Sequence, residues 1–462
     1  MTDPQLRASL RKMRDDGVAE VAVATFAHYF ERLRAGEAGV LAESEIAPVD
    51  ELPDADDLPE DEEGARVALE RTVVIKLNGG LGTSMGMSGP KSLLEVKDGL
   101  TFLDVVVRQI LHLRRRTGAC LPLVLMNSFA TRDASLEALD AYPDLPMDGI
   151  QADFVQSKVP KLDAADLGPV AWPADPALEW APPGHGDLYP SLLSSGMLDA
   201  LLDAGYRHAF VANIDNLGAV MEPRILAWLA RERVPFLMEV ADRTAADRKG
   251  GHLARRPDGG LVLREIAQTP EADLASFQDT ARHRYFNTNT LWIDLPALAA
   301  VLERRGGVLG LPMIVNRKTV DPADASSTPV LQLETAMGAA IDVFDGARAI
   351  RVGRERFAPV KTTNDLLALR SDAYELHDDG RIVVAAGRDG APLVDLDPRH
   401  YKLVADFDAR FGAGAPSLVD CERLTVRGDV AFGAGVVVRG SARVEHDGAG
   451  RLTIADGTVL EG

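Results

Sequence analysis

Cysteine is scarce in this chain: Cys120 and Cys421 are its only two in 462 residues. They lie far apart and form no metal-binding or redox spacing. Such sparse use fits a reducing compartment, so the expected location is the cytoplasm. Long apolar runs are also missing. The opening residues, MTDPQLRASLRKMRDD, have no signal-like apolar core, and no stretch approaches a membrane span. Positive charge is in deficit too: 50 Lys and Arg against 70 Asp and Glu leave a formal net charge of −20. A surface of that sign repels polyanions, which argues against nucleic acid as a partner. A nucleotide ligand must then meet positive charge gathered locally or carried by a divalent metal. No H-E-x-x-H motif and no kinase H-R-D set occurs. Isolated histidines such as His112 and His252 are expected to be solvated or core residues.

Glycine, by contrast, is concentrated at one place. The apolar run Val73–Leu77 breaks into a loop holding Gly79, Gly80, Gly82, Gly86 and Gly89, which closes on Pro90-Lys91-Ser92. Successive bare amides after a buried strand make a nest of N–H donors suited to phosphate, and Lys91 adds a mobile cation. The P-loop pattern fails because Pro90 separates Gly89 from Lys91. The dinucleotide pattern fails because Thr83, Ser84 and Met85 follow Gly80-Leu81-Gly82. A tight strand-to-helix turn is the competing reading. The glycine density favours a phosphate cradle of a third kind.

The length predicts two or three domains, and 46% hydrophobic residues are ample for a large core. Residues 4–35 carry Met13, Val18, Val21, Phe26, Phe30 and Leu33 at near-helical intervals, which predicts an amphipathic helix. Residues 43–63 hold three prolines, many carboxylates and no Lys or Arg, the composition of a solvated linker or surface loop. Strand-like runs follow at Val73–Leu77, Leu121–Met126, Ala209–Ala212, Pro235–Val240 and Leu291–Leu295, with helical patterns between several of them. Thr101 and Asp104 resemble a capping box before a helix from Phe102 to Leu113. This alternation predicts an α/β fold with a mostly parallel central sheet. Ligands of such sheets sit beyond the carboxyl ends of the strands, where the glycine loop emerges. In the tail, Leu424, Val430, Val436 and Ala442 fall six apart, and Ile454 and Leu460 return to that register. Hexads with glycine turns point to a short parallel β-helix, with a β-meander as the alternative. Stacked coils need a docking partner, either the chain's own catalytic domain or another subunit in a homo-oligomer. The boundaries drawn are 1–65, 66–375 and 376–462.

Several polar segments sit between the strands. Gln156-Ser157-Lys158-Val159-Pro160-Lys161 follows one strand, and Pro182-Pro183-Gly184-His185-Gly186-Asp187 gathers an imidazole and a carboxylate among turn formers. Asn213-Ile214-Asp215-Asn216 places an aspartate just past a strand, a common way to hold Mg²⁺ beside phosphates, although Asp-Asn also suits a plain turn. Lys249-Gly250-Gly251 and Asn287-Thr288-Asn289 offer backbone and amides that suit sugar hydroxyls. Pro359-Val360-Lys361-Thr362-Thr363 supplies a second lysine.

These segments together resemble the UTP–glucose-1-phosphate uridylyltransferase family, the UDP-glucose pyrophosphorylases, in its eukaryotic-type branch. The resemblance runs from about Arg66 to the C-terminus, in order, through LNGGLGTSMG, GPKS, MNSF, QSKVPKL, PPGHGD, NIDNLGA, EVADRTAADRKGG, EIAQ, FNTNTLW, QLETAMGAAI and PVKTTNDLL. It implies a Rossmann-like nucleotidyltransferase core, a smaller N-terminal segment and a C-terminal left-handed parallel β-helix. It also implies synthesis of UDP-glucose and pyrophosphate from UTP and α-glucose 1-phosphate with Mg²⁺. By the same resemblance Leu77, Asn78, Gly79 and Gly80 line the UTP, and Lys91 contacts its phosphates near the metal. Gln156 and Gly184, helped by Met126, read the uracil, and His185 touches the sugar phosphate. Asn213, Ile214 and Asp215 lie at the ribose, phosphates and metal, with Asp215 as the metal ligand. Gly251, Glu265, Asn287 and Asn289 hold the glucose, and Lys361 is the catalytic lysine, with Lys91 beside it. Thr290 and Asn364 stand where many relatives have Asn and Ser. The alternatives are a pyrophosphorylase for another sugar 1-phosphate and a non-catalytic nucleotide-sugar sensor. Relatives that take other sugars tend to carry an arginine soon after the loop glycines, and Thr83-Ser84-Met85 has none.

Overall fold

A computed structural model describes residues 3–37, 39–388 and 390–462. Nine strands build the central sheet: β1 (Thr72–Asn78), β2 (Leu123–Asn127), β3 (Asp153–Val155), β4 (His208–Asn213), β5 (Phe236–Asp242), β6 (His252–Arg255), β7 (Leu261–Arg264), β8 (Tyr285–Asp294) and β9 (Arg348–Arg351). The path runs β7-β6-β8-β4-β1-β2-β3, with β5 paired to both β8 and β9. The strands around the glycine loop, β4, β1, β2 and β3, are all parallel, as the α/β alternation predicts. Beyond β4 the sheet turns antiparallel through β8, β5 and the β6–β7 hairpin.

The helices used below are α1 (Pro4–Asp15), α2 (Glu20–Arg34), α3 (Glu62–Leu69), α4 (Phe102–Thr117), α5 (Leu188–Ser194), α6 (Met197–Asp203), α7 (Pro223–Glu232), α8 (Leu295–Arg304) and α9 (Thr363–Arg370). Period-2 alternation along β1 sends Val73 and Ile75 to one face and Val74 to the other. The first face packs on α5, α6 and α8 through Leu188, Tyr189, Leu198 and Leu298. The second packs on α4, α7 and α9 through Phe102, Ile225 and Leu366. Thr101 and Asp104 form the capping box that starts α4.

The N-terminal helical pattern resolves into two helices rather than one. Gly17 takes a left-handed φ of +76° just after α1, where a side chain would be strained. The chain turns there, and Met13, Phe26 and Phe30 still share one apolar cluster with Val159, Leu162 and Leu333. The acidic stretch 43–63 also departs from expectation. It is not a solvated linker: Val49 and Ala55 are buried, and Ala47 exchanges two backbone hydrogen bonds of 2.8 Å with Arg255 at the edge of β6. Its carboxylates lie opposite arginines of the folded sheet, among them Glu43 with Arg264 and Asp54 with Arg351.

In the tail, β10 (Leu393–Leu396), β11 (Cys421–Arg427), β13 (Val437–Glu445) and β15 (Val459–Glu461) form one parallel ladder, and β12 (Val430–Phe432) pairs in parallel with β14 (Leu452–Ile454). Leu424 lies beside Ala442, so one rung spans three of the six-residue repeats read from the sequence. Leu424, Val430, Val436 and Ala442 are buried and belong to the same apolar cluster as α4, α7 and α9. The parallel strands of the tail therefore pack into the same core as the chain's own helices. Among the described residues no helix is long and apolar enough to cross a membrane.

Because that cluster is continuous, Leu424→Ala should lower stability by about 2–5 kcal/mol and move the urea midpoint of the whole chain. An unchanged midpoint, read by circular dichroism, would show that the coils do not share the core.

Candidate active site

Parallel register brings three loops to one edge. Leu77 lies beside Met126 and Asn213, so the glycine loop, the segment after β2 and the Asn213–Asn216 turn leave the sheet side by side. Between them Ile214 donates its N–H to the Leu77 carbonyl at 3.2 Å. The glycine loop folds back on itself, with Lys91 N–H on the Gly80 carbonyl at 3.0 Å. This return places the Lys91 ammonium 2.6 Å from Asp215 Oδ2, and it also donates to the Val360 carbonyl. Both side chains of the pair are largely covered, Lys91 at 17% and Asp215 at 22% exposure, so the contact is less screened than a surface ion pair.

The Asp215 turn also fixes Lys361. Val360 N–H donates to the Asp215 carbonyl at 3.3 Å, and Ala358 N–H donates to Asn216 Oδ1 at 2.9 Å. Lys361 follows directly, its N–H capped by Asp365 Oδ2 at 2.8 Å at the start of α9, and its side chain is exposed. The glycine loop, the Asp215 turn and the segment carrying Lys361 thus meet at one junction, with Lys361 Nζ 5.6 Å from the centre of the Phe357 ring. Asn364, the departure in this segment, accepts the Leu396 N–H at 3.1 Å and ties α9 to β10.

A second loop pair, the one expected to read the uracil, packs beside the glycine loop. The Gln156 side-chain amide lies against Gly79, where an added Cβ would come within 2.8 Å of Gln156 Oε1. Asp187 Oδ2 accepts the Ser157 N–H and the Ser191 hydroxyl, each at 2.6 Å, which joins QSKVPK to PPGHGD. Burial pushes the Asp187 carboxyl up to about 6. Gly184 sits at φ +80°, and a Cβ there would lie 2.5 Å from the Thr335 carbonyl, so only glycine fits. His185 Nδ1 accepts the Met337 N–H at 3.0 Å. An amide can only donate, so the ring is neutral and its proton sits on Nε2. Burial lowers the His185 imidazole to about 4, which keeps it neutral near pH 7.

The residues expected to hold the sugar gather across the β6–β7 hairpin and a bulge in β8. His252 pairs with Arg264, which makes Gly251 and Glu265 cross-strand neighbours. A Cβ on Gly251 would sit 2.5 Å from the Glu265 carboxylate. Burial pushes the Glu265 carboxyl up from the ordinary range. In the β5–β8 pairing Glu239 opposes Thr290 and the next residue, Val240, opposes Asn287, so Thr288 and Asn289 bulge outward. Asn287 Nδ2 then donates to Asn289 Oδ1 at 2.8 Å, and Asn287 N–H donates to the Gly251 carbonyl at 3.1 Å. Thr290 is fully buried opposite Glu239, outside this cluster. A Cβ on Gly338 would come 2.8 Å from Asn287 Nδ2, so the Met337–Gly338 turn links His185 to the asparagines.

Three of the predicted ligand residues turn their side chains into the interior. Asn78 turns its side chain into the interior, donating to Asn127 Oδ1 at 2.7 Å and Ser135 Oγ at 2.8 Å, so only its backbone can face a ligand. Met126 and Ile214 are buried, one in each of the two apolar layers. Both lie on strand-end positions whose apolar character is the sign of a core role.

Sequence reading also passed over the support beneath the junction. Lys76 is buried, donates to the Ala219 carbonyl at 2.8 Å and is brought down to about 7 by that burial. Arg356 holds both oxygens of the buried Glu239 at 2.8 and 2.7 Å, and Trp292 Nε1 donates to the same carboxylate at 2.9 Å. Lys76 and Arg356 help line a cavity of about 840 Å³ on the α4–α7 face, which none of the predicted site residues borders. Gly82-Thr83-Ser84-Met85-Gly86 has the letter spacing of a nucleophile elbow. Thr83–Met85 is a 3-10 turn, and among the described residues no base bonds to the Ser84 hydroxyl.

Among the described residues no three His, Cys, Asp or Glu side chains cluster as a metal site. Mg²⁺ commonly uses one or two carboxylates with waters and substrate phosphates, and Asp215 fits that demand: Lys91 bonds Oδ2, and among the described residues Oδ1 has no hydrogen-bond partner.

The family model of UTP--glucose-1-phosphate uridylyltransferase matches residues 23–439. The chain is 43% identical to the UTP--glucose-1-phosphate uridylyltransferase of Solanum tuberosum over 418 residues, covering 90% of this chain and 84% of that protein. It is 42% identical over 400 residues to the probable UTP--glucose-1-phosphate uridylyltransferase of Schizosaccharomyces pombe, covering 86% and 77%. A crystal structure of a variant UDP-glucose pyrophosphorylase from Leishmania major in complex with UDP-glucose superposes with a TM-score of 0.93 at 46% identity, covering 100% of this chain and 99% of that one.

The His185 tautomer is open to measurement. Nitrogen-15 NMR should show its proton on Nε2 and a titration near pH 4. A doubly protonated ring at pH 6, or a proton on Nδ1, would contradict the Met337 contact.

Proposed function

The chain belongs to the UTP--glucose-1-phosphate uridylyltransferase family, and from that membership we propose that it joins UTP and α-glucose 1-phosphate into UDP-glucose and pyrophosphate. The observation that carries the reading is the junction of Lys91, Asp215 and Val360 beneath the glycine loop. It sets a lysine ammonium, paired with a carboxylate, beside a loop of bare amides in a chain whose net charge is −20.

In this reaction a phosphate oxygen of glucose 1-phosphate attacks the α-phosphorus of UTP. The bond from that phosphorus to the bridging oxygen breaks, and pyrophosphate leaves in line. The nucleophile is already an anion, so no strong base is needed. The barrier lies in holding two polyanions together and stabilising the charge of the leaving group. Positioning of this kind is worth up to about 7–11 kcal/mol.

Gly79, Gly80 and the amides that follow offer donors for the UTP phosphates. Gln156 and Gly184 border the uracil side. Glu265, Asn287 and Asn289 supply acceptors and donors for glucose hydroxyls, and His185 Nε2–H donates toward its phosphate. Lys361, exposed beside the junction, reaches the reacting phosphates. Mg²⁺ held by Asp215 would neutralise phosphate charge when bound. We further read the stacked parallel rungs of the tail as a left-handed parallel β-helix. Residues 1–65, 66–375 and 376–462 serve as N-terminal segment, catalytic domain and C-terminal domain. Cys120 and Cys421 are unpaired thiols, which supports a cytoplasmic location.

A pyrophosphate-release assay with UTP and a panel of sugar 1-phosphates should give turnover with the glucose ester well above the others. Preference for the N-acetylglucosamine ester, or no turnover, would reject the assignment. Lys361→Ala should cut kcat by about 10²–10³ while UTP affinity changes far less. Equal kcat values would remove Lys361 from the chemistry. Asp215→Ala should abolish metal-dependent activation in a Mg²⁺ titration, and an unchanged activation curve would contradict its role as ligand.

A further inference from the structure

One buried polar cluster lies outside the phosphate chemistry, directly behind the sugar-side residues. Its centre is Glu43, in the acidic N-terminal stretch. Glu43 Oε2 accepts Arg264 Nη1 at 2.6 Å, and Oε1 accepts Arg282 Nε at 2.7 Å. His283 Nε2 lies 3.0 Å from Oε1 and 3.2 Å from Oε2. The Glu43 N–H donates to Asp273 Oδ2 at 2.7 Å, and Arg264 Nη2 reaches the same oxygen at 3.2 Å. The His283 ring stacks on His252 with centroids 3.8 Å apart. The side chains of Arg264 and His283 are fully buried. A guanidinium at that depth needs a close carboxylate, and breaking such a pair leaves a buried charge uncompensated.

The placement of this cluster gives it a function. His252 and Arg264 are a cross-strand pair, and each is covalently next to a residue of the sugar side: His252 to Gly251, and Arg264 to Glu265. Glu43 therefore holds both strands of the β6–β7 hairpin at the rung before the one that presents Gly251 and Glu265. The strap that delivers it is anchored on either side, by Leu41 N–H on the Gln268 carbonyl at 2.8 Å and by the Ala47–Arg255 bridge. Leu41 and Ile46 also pack on Ala254 and Val262 of the same hairpin.

We propose that Glu43 is a positioning residue for the sugar half of the site: its carboxylate locks Arg264 and the His283–His252 stack, and so sets Glu265 and Gly251 at the height where they meet the hexose. This rests on the reading that Glu265 and Gly251 contact glucose. Gln at position 43 keeps the shape but loses the charge and puts an NH₂ where Arg264 or Arg282 now donates.

The test is steady-state kinetics of the full chain with each substrate varied in turn. Glu43→Gln should raise KM for glucose 1-phosphate by about 10- to 100-fold, the scale of a small misplacement, and leave KM for UTP within twofold. Glu43→Asp, which keeps the charge with a shorter reach, should fall between parent and Gln. If Glu43→Gln yields too little folded protein, Glu43→Asp carries the same test. Glu265→Gln is measured alongside, and the double variant should add little to it, because both changes act on one contact. A purely structural Glu43 would lower the unfolding midpoint and leave both KM values of the folded fraction in place, which overturns the proposal. If Glu265→Gln itself leaves KM for glucose 1-phosphate unchanged, the sugar-side reading fails, and the role of Glu43 falls with it. If Glu265→Gln raises that KM while neither Glu43 variant does, only the role of Glu43 fails.

Discussion

The ion pair between Lys91 and Asp215 is the contact on which the rest of the site depends. It spans the mouths of two parallel strands, one bearing the glycine loop and the other the Asn213–Asn216 turn. The same ammonium reaches the Val360 carbonyl, so a third segment, the one carrying Lys361, is drawn to the same point. A partly covered pair contributes modestly to stability, because desolvation offsets much of the Coulomb gain. Its value here is geometric. In the absence of substrate, Asp215 gives a largely covered lysine its counter-charge. Under the proposed function, incoming phosphates would offer that lysine a second anionic partner.

The remainder of the site is built outward from this junction by backbone. The glycine loop, the Gly184 turn and the Met337–Gly338 turn contribute main-chain groups or room rather than charge. Side chains do most of the orienting: Asp187 ties the Ser157 loop to α5 and Glu239 pins Arg356 under the Lys361 segment, while the Met337 backbone N–H sets the His185 tautomer. A site made this way holds two polyanions without carrying a large fixed positive charge, which suits a strongly acidic chain.

Much of this was legible in the residues themselves. The parallel strands around β1, the α4 capping box and the six-residue repeats of the tail follow from periodicity and turn chemistry, which act locally. The glycine loop and Lys91 stand out because packing does not explain so many glycines together. Long-range pairing was not legible. Residues 43–63 have the composition of solvated chain, and only the fold shows that Glu43 and Asp54 answer arginines more than 200 residues away in sequence. The break at Gly17 was hidden because the apolar positions on both sides of it keep helical intervals. The side-chain directions of Asn78 and Met126 were hidden for a related reason: the motif names the residues, but only the strand's place in the sheet turns Asn78 toward Asn127 and Ser135 and Met126 into an apolar layer.

A crystal structure with UDP-glucose and Mg²⁺ tests the central claim most directly. The account predicts the diphosphate lying along the glycine loop beside Lys361, the uracil against Gln156 and Gly184, and the hexose between His185 and Glu265. Product bound instead in the cavity between α4 and α7, with the glycine loop and the Lys91–Asp215 pair left as they are in the free chain, would contradict it.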